Sequence, residues 1–189
     1  MGKELVKSIK NFASQDHIDF WIDYIEETLP KSHVLAPNKR WALAFGKDQY
    51  FEWSHHTLDT ISDIREMTLE YFSLISDVVR ELYANEKPLY VCSFWMAKQN
   101  PGGNVGGHID TDEDSNQHFK YSSVLYLTDS SKDGNLHFPY MKHTIKPEAG
   151  EIAIFPSAGD EYFHEVSTIN HERYSLCFWF TEDPSFAIF

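Results

Sequence analysis

The sequence predicts a mostly β protein of the α+β class: an antiparallel sandwich or jelly roll braced by helices. Three observations support this prediction. Eight short strand patterns, separated by turn signals, follow one another from Leu89 onward. Two apolar stripes at helical spacing precede them. Aromatic residues, which favour strands, make up 15% of the chain. Together these features favour a layered β core with supporting helices.

The two helices are predicted in the first part of the chain. The first runs from Ser14 to Leu29, and Pro30 follows directly. The second runs from about Leu58 to Tyr83. Its apolar stripe consists of Ile61, Ile64, Met67, Tyr71, Leu74, Ile75, Val78 and Leu82. We expect both stripes to face the core, with a short strand, Trp41 to Phe45, between the helices.

The strands are predicted near residues 89–97, 105–110, 120–128, 135–139, 143–146, 151–155, 162–168 and 172–181. No internal repeat, low-complexity tract or linker interrupts the chain. We therefore predict one domain over residues 1–189, with helical support at about 12–84 and a jelly-roll core at about 89–181.

Charge and cysteine content limit the function classes. The net charge is -13 and no basic run is present, which argues against a nucleic-acid partner. No stretch approaches the apolar length of a membrane span, and the N-terminus lacks the apolar region of a signal peptide. Cys92 and Cys177 are predicted to be buried reduced thiols, with a disulfide or metal role as the alternative. These features indicate a cytoplasmic protein; they do not indicate its oligomeric state.

A metal site is predicted from His108, Asp110 and His164. The first two lie two residues apart at the end of a predicted strand, so their side chains should share one face. His164 follows 56 residues later in another predicted strand. Two imidazoles and one carboxylate form the facial triad suited to Fe(II), and they leave positions for a 2-oxo acid and dioxygen.

Arg173 adds to this prediction because it stands alone before an apolar run, Tyr174 to Phe180. A buried guanidinium is costly unless it meets an anion. The distal carboxylate of 2-oxoglutarate would suit its planar fork of donors. The alternative is a local ion pair with Glu172 or Glu182.

The segment from Gly106 to Trp179 resembles the catalytic core of the Fe(II)/2-oxoglutarate oxygenases, in their prolyl hydroxylase branch. The matching pieces, in order, are Gly107-His-Ile-Asp110, Ser123-Val-Leu-Tyr-Leu-Thr128, Gly134-Asn-Leu-His-Phe-Pro139, Lys146-Pro-Glu-Ala-Gly-Glu-Ile-Ala-Ile-Phe155, and His164-Glu-Val with Arg173-Tyr-Ser-Leu-Cys-Phe-Trp179. The last piece is similar to the animal oxygen-sensing prolyl hydroxylases.

The resemblance implies a double-stranded β-helix with helices packed on one sheet. It implies Fe(II) on His108, Asp110 and His164, and 2-oxoglutarate on Arg173, with O2 as co-substrate and ascorbate as a candidate reductant. Tyr126 matches a strand tyrosine that helps to bind 2-oxoglutarate; the alternative is a sheet aromatic with its hydroxyl at the rim. No catalytic residue beyond the metal ligands is expected. Asp110 favours hydroxylation, since related halogenases carry a small residue there.

The implied activity is hydroxylation of an unactivated C–H bond, with release of succinate and CO2. The substrate would be a prolyl or other amino-acid residue of a peptide, or else a free amino acid or small metabolite. A cupin-like metal-binding domain without oxygenase activity is the third possibility. The chain departs from the family pattern at Gln99 and Asn100, where a tyrosine is usual, and at Asp133-Gly134, where a glycine pair is usual.

Two smaller features stay open from the sequence. Asp112, Glu113 and Asp114 follow Asp110 and form either a solvated loop or an acidic lip that attracts cationic substrates. His55-His56 and the pair His137 and His143 are expected to be surface or sheet residues rather than metal ligands.

Overall fold

Helices and strands lie close to where the apolar patterns predict them. The computed structural model describes residues 6–28, 40–46, 64–130 and 132–188. These ranges contain two helices, α1 (Gln15–Thr28) and α2 (Arg65–Leu82). Their strands are β1 (Lys7–Ile9), β2 (Arg40–Gly46), β3 (Tyr90–Gln99), β4 (Val105–His108), β5 (Tyr121–Tyr126), β6 (Leu136–Phe138), β7 (His143–Ile145), β8 (Ile152–Pro156), β9 (His164–Val166) and β10 (Arg173–Thr181). Single-turn 3-10 helices lie at Asp114–Asn116, Pro139–Met141, Asp160–Tyr162 and Pro184–Phe186.

The strands form two antiparallel sheets. The larger sheet has the order β1-β8-β5-β10-β3-β2 and the smaller one the order β4-β9-β6-β7. From β3 to β10 the chain passes back and forth between the sheets, and only β6 and β7 follow one another within one sheet. This is the double-stranded β-helix, or jelly roll, and the predicted fold class is confirmed.

The ends of the strands differ from the prediction at three places that bear on the site. β3 continues two residues past the predicted end, to Gln99, and β4 stops two residues early, at His108. β9 covers only His164–Val166, because a 3-10 turn occupies the residues before it. β1 was not predicted, and its three residues, Lys-Ser-Ile, contain only one apolar side chain.

Both helices pack against one face of the larger sheet. Trp21 and Ile25 of α1 and Ile75 of α2 are fully buried, in one cluster with Phe94 of β3 and Phe178 of β10. The rings of Phe94 and Phe178 stack with their centroids 4.9 Å apart. The prediction that helices brace one sheet is therefore confirmed.

The buried face of α2 is not the whole predicted stripe. Leu74 and Leu82 are 47% and 36% exposed, so their predicted core position is wrong. Thr68 and Phe72 are buried instead. Thr68 can occupy the core because its hydroxyl donates to the Ile64 carbonyl at 2.8 Å. The predicted start of this helix lies outside the described residues.

The other face of the larger sheet meets the smaller sheet. A second apolar cluster, including Leu136, Phe138 and Phe155, fills the space between them. Along β10 the side chains alternate: Tyr174, Leu176, Phe178 and Phe180 join the helix-side cluster. Arg173, Ser175, Cys177 and Trp179 therefore point toward the smaller sheet. This alternation brings Arg173 to the inside of the β-helix.

Two further predictions concern the cysteines and membrane-spanning segments. Cys92 and Cys177 are both buried and do not form a disulfide, as predicted. Among the described residues, no helix is both long and apolar enough to cross a bilayer.

Candidate metal and cosubstrate site

The site begins with a cross-strand pair of histidines on the smaller sheet. His108 ends β4 and His164 begins β9, and the two residues face each other in the antiparallel register. Their ring centroids are 4.4 Å apart. The register shifts between Val105 and His108, through Gly106 and Gly107.

The shape of this bulge depends on Gly107. A Cβ atom at this position would lie 2.2 Å from the ring of Phe163, the residue before His164. Glycine therefore lets the two histidine-bearing strands approach each other.

The hydrogen bonds of both histidines set their tautomers. Nδ1 of His108 lies 2.9 Å from the Gly106 carbonyl, and Nδ1 of His164 lies 2.9 Å from the Tyr162 carbonyl. A carbonyl oxygen can only accept, so in each ring Nδ1 must be the donor. Each Nε2 then carries a lone pair when the ring is neutral, which is the form that binds a metal.

Asp110 supplies the carboxylate. Its Oδ1 lies 3.3 Å from His108 Nε2 and 3.8 Å from His164 Nε2. One ligand atom from each of the three residues lies within 4.8 Å of the others. In the described part of the chain this is the one group of three or more such side chains that could hold a metal ion.

Asp110 lies beyond the end of β4 and is held by the larger sheet. Its Oδ2 accepts a hydrogen bond of 2.5 Å from the Ser122 hydroxyl on β5, and the Ser122 and Ser157 hydroxyls are 2.7 Å apart. Since Ser122 donates to Asp110, Ser157 donates to Ser122. Residues of both sheets therefore position the three ligands. The sequence did not predict a role for either serine, because no local pattern links them to Asp110.

The electrostatics favour an ionised carboxylate beside neutral imidazoles. Burial would raise the pKa of Asp110, but the nearby histidines and the Ser122 hydrogen bond outweigh it and lower this pKa to about 2. Burial also lowers the pKa of His164, although Asp110 partly opposes the effect. Both shifts favour the protonation states in which these groups bind metals.

The three ligands are unevenly exposed. The side chain of His108 is 38% exposed, against 8% for His164 and 7% for Asp110. The cluster is therefore open on the His108 side and closed toward β5. Two imidazole nitrogens and one carboxylate oxygen are the donor set of a facial triad, which leaves three positions of an octahedron for other ligands.

Arg173 lies inside the β-helix at the start of β10. It is 5% exposed, and its Nη1 donates to Gln99 Oε1 at 3.0 Å. Among the described residues no carboxylate forms an ion pair with it. The alternative partners from the sequence, Glu172 and Glu182, pair instead with Lys98 and Lys87.

Tyr126 lies beside Arg173. The guanidinium carbon is 5.1 Å from the centroid of the tyrosine ring. The side chain is fully buried, so its hydroxyl is not at the rim of the sheet. This hydroxyl has no hydrogen-bond partner among the described residues, and burial raises the pKa of Tyr126 to about 12. The phenol therefore stays protonated at neutral pH and available as a donor.

The residues that contact the metal ligands and Arg173 share one face of β5. Ser122, which holds Asp110, and Tyr126, which lies beside Arg173, are four residues apart on β5. Four residues of a strand span about 13 Å. The serine that holds Asp110 and the tyrosine that contacts Arg173 are therefore separated along the same face of one strand.

The other candidate residues lie apart from this site. His137 Nδ1 is 2.8 Å from the Thr144 hydroxyl across β6 and β7, and His143 is exposed, in agreement with sheet and surface roles. His55 and His56 lie outside the described residues. Asp112, Glu113 and Asp114 are exposed, and the Asp112 carboxylate accepts a hydrogen bond from the Ile109 amide.

A double-stranded β-helix that carries a His/Asp/His group and a buried arginine is the arrangement expected of a non-haem iron oxygenase. Comparison with known proteins agrees. Residues 94–181 match the family described as the 2OG-Fe(II) oxygenase superfamily. This matched segment contains the three candidate metal ligands and Arg173.

Individual relatives show how far the similarity extends. The chain is 36% identical over 76 residues to "2-oxoglutarate and iron-dependent oxygenase domain-containing protein 3" of Xenopus tropicalis, which covers 37% of this chain and 24% of that protein. The match thus spans about a quarter of that relative's length.

Solved structures share the fold over almost the whole chain. A prolyl-4-hydroxylase from Pseudomonas putida has a TM-score of 0.69 at 19% identity, with 95% of this chain and 93% of that chain covered. A viral collagen prolyl hydroxylase from Paramecium Bursaria Chlorella virus-1 has a TM-score of 0.65 at 18% identity, with 95% and 96% covered.

Proposed function

We propose that the protein is an Fe(II)- and 2-oxoglutarate-dependent dioxygenase that hydroxylates an unactivated C–H bond. When bound, iron and 2-oxoglutarate supply the oxidising chemistry: dioxygen places one oxygen atom in the substrate as a hydroxyl group and the other in succinate, with release of CO2. The protein's own residues hold these groups, orient the substrate and limit access of water.

In this proposal His108, Asp110 and His164 hold the metal. Support comes from their donor set, from the tautomers that Gly106 and Tyr162 impose, and from the low pKa of Asp110. A divalent cation would compensate the buried carboxylate, which has no lysine or arginine partner among the described residues.

Arg173 and Tyr126 bind the distal carboxylate of 2-oxoglutarate in this proposal. The single observation that carries it is the buried guanidinium of Arg173, which has no carboxylate partner among the described residues. Arg173 Nε and the Tyr126 hydroxyl are buried without hydrogen-bond partners among the described residues. A bound carboxylate would satisfy both donors.

The proposed substrate is a prolyl or other amino-acid residue of a peptide. The support is the likeness of the fold to the prolyl hydroxylases named above. A free amino acid or small metabolite is the second candidate, favoured by the departures from the family pattern at Gln99 and Asn100. A cytoplasmic location belongs to the same proposal, and the two buried cysteines, which form no disulfide, support it.

Succinate release tests this proposal. The purified protein would be supplied with Fe(II), 2-oxoglutarate, ascorbate and O2, together with panels of proline-containing peptides and of free amino acids. We expect substrate-dependent succinate from one of the panels, and none from His164→Ala, which loses a metal ligand. Turnover that persists in His164→Ala, or metal bound elsewhere in an anomalous-scattering map, would contradict the assignment.

A further inference from the structure

Arg173 contacts a second buried polar side chain, Gln99, that no metal or family role explains. It is the last residue of β3, it is 2% exposed, and it pairs with Arg173 across the strands. The sequence shows it only as a departure from the family pattern. An amide is costly to bury unless its groups are paired.

Half of this amide is paired. Gln99 Oε1 accepts the hydrogen bond from Arg173 Nη1, which requires the oxygen to face the guanidinium. Nε2, the other polar atom of this amide, is buried without a partner among the described residues. Each unpaired buried donor of this kind costs free energy until something accepts from it.

Three buried donor groups at Gln99, Arg173 and Tyr126 have no hydrogen-bond partner among the described residues. They are Gln99 Nε2, Arg173 Nε and the Tyr126 hydroxyl. Gln99 accepts from Arg173, and Tyr126 packs its ring against the same guanidinium. Two carboxylate oxygens offer about four acceptor sites, enough for these three donors. A neutral amide also leaves the positive charge of Arg173 uncompensated, whereas a glutamate here would neutralise it.

We propose that Gln99 is a second anchor for the distal carboxylate of 2-oxoglutarate: its Oε1 orients the Arg173 guanidinium, and its Nε2 donates to the carboxylate. This inference rests on the proposed function, since that function supplies the dicarboxylic ligand. It makes Gln99 a determinant of the choice between 2-oxo acids with and without a distal carboxylate.

The test is equilibrium binding to the Mn(II)-loaded protein, followed by isothermal titration calorimetry. Two probes are compared: 2-oxoglutarate, and pyruvate, which lacks the distal carboxylate. Gln99→Glu places a carboxylate against Arg173, and we expect it to weaken 2-oxoglutarate binding by about 100-fold or more. Gln99→Met removes both hydrogen bonds at similar volume and should weaken it by about 10-fold. Pyruvate binding should change by less than about threefold in both variants.

Controls separate charge and folding from the specific contact. Gln15→Glu makes the same chemical change at an exposed position of α1 and should bind both probes as the wild type does. Thermal melting checks that each variant is folded. If Gln99→Glu does not fold, Gln99→Met decides the question, with Gln99→Asn as a variant that keeps the amide but shortens its reach.

The outcomes distinguish this inference from the proposed function. If the Gln99 variants bind 2-oxoglutarate as the wild type does while Arg173→Lys binds it weakly, Gln99 is no anchor and the function stands. Equal losses for 2-oxoglutarate and pyruvate would show a general structural role and would also overturn the inference. A wild-type protein that binds Mn(II) but not 2-oxoglutarate would overturn both.

Discussion

Asp110 shows how a single metal-binding residue can depend on a sheet other than its own. β4 ends two residues before it, and the hydroxyl of Ser122 on the larger sheet holds its Oδ2. Ser157 donates to Ser122 in turn. Hydrogen bonds to ligand side chains fix their orientation, and their loss weakens metal binding.

Ser122→Ala should therefore weaken binding of Mn(II), measured by calorimetric titration, by about 10- to 100-fold. It should also lower the free energy of unfolding of the metal-free protein by about 1–3 kcal/mol, because Asp110 Oδ2 and the Ser157 hydroxyl lose their partner.

The matched control is Ser123→Ala on the same strand. The Ser123 hydroxyl is buried without a partner among the described residues, and its side chain points away from the site. This variant should keep wild-type Mn(II) affinity. Equal affinities in the Ser122 and Ser123 variants would show that the serine chain does not position Asp110.

Arg173 is the second residue whose role can be isolated. Arg173→Lys keeps the charge but loses the planar fork, so we expect residual activity with a raised KM for 2-oxoglutarate. Arg173→Ala should cost about 2–5 kcal/mol of cosubstrate binding. Steady-state kinetics with varied 2-oxoglutarate measure both effects, and an unchanged KM in the Ala variant would exclude the role.

At the scale of elements, the buried face of α2 differs from the apolar stripe that the sequence predicts. Leu74 and Ile75 are neighbours and both belong to the predicted stripe, yet Leu74 is exposed and Ile75 is fully buried. Phe72, Ile75 and Val79 belong to the buried cluster that α2 forms with the larger sheet, and Leu74 does not.

Ile75→Ala should accordingly lower the free energy of unfolding by about 2–5 kcal/mol through lost burial and a residual cavity. Leu74→Ala should change it by less than about 0.5 kcal/mol. Urea denaturation of the two variants measures the difference. Similar losses in both would mean that Leu74 is covered in solution.

At the scale of the whole molecule, the net charge is -13, and three of the acidic residues, Asp112, Glu113 and Asp114, lie next to the candidate metal site. These exposed residues follow the ligand Asp110 directly. Neutralising all three to Asn or Gln should lower kcat/KM for a basic substrate at low salt and have less effect at high salt. Each exposed charge contributes under about 1 kcal/mol and is screened by ions.

A control variant changes the net charge equally at Glu66, Glu70 and Asp77, which are exposed on α2. It should show the wild-type salt dependence, because a Debye length is about 8 Å at physiological ionic strength. If the loop variant behaves in the same way, the loop is a solvated turn and not an acidic lip.

The sequence by itself determined the features that depend on local order. Alternation and helical spacing predicted both helices and nine of the ten strands in the described residues. These are the eight strands of the β core, β3 to β10, and β2 between the helices. The spacing of His108 and Asp110 is local, and the structure brings both together with His164. Arg173 could be recognised because it stands alone beside an apolar run, and a buried cation is costly unless an anion pairs with it.

Only the tertiary structure decided which groups complete the site. Gln99 contacts Arg173 across 74 residues, and Ser122 contacts Ser157 across 35. Such contacts follow from strand register and sheet packing, and a shift of one residue in register would turn every side chain to the opposite face. Periodicity reports that a strand has two faces; only the pairing of distant strands determines which face encloses the pocket and what each polar group meets there.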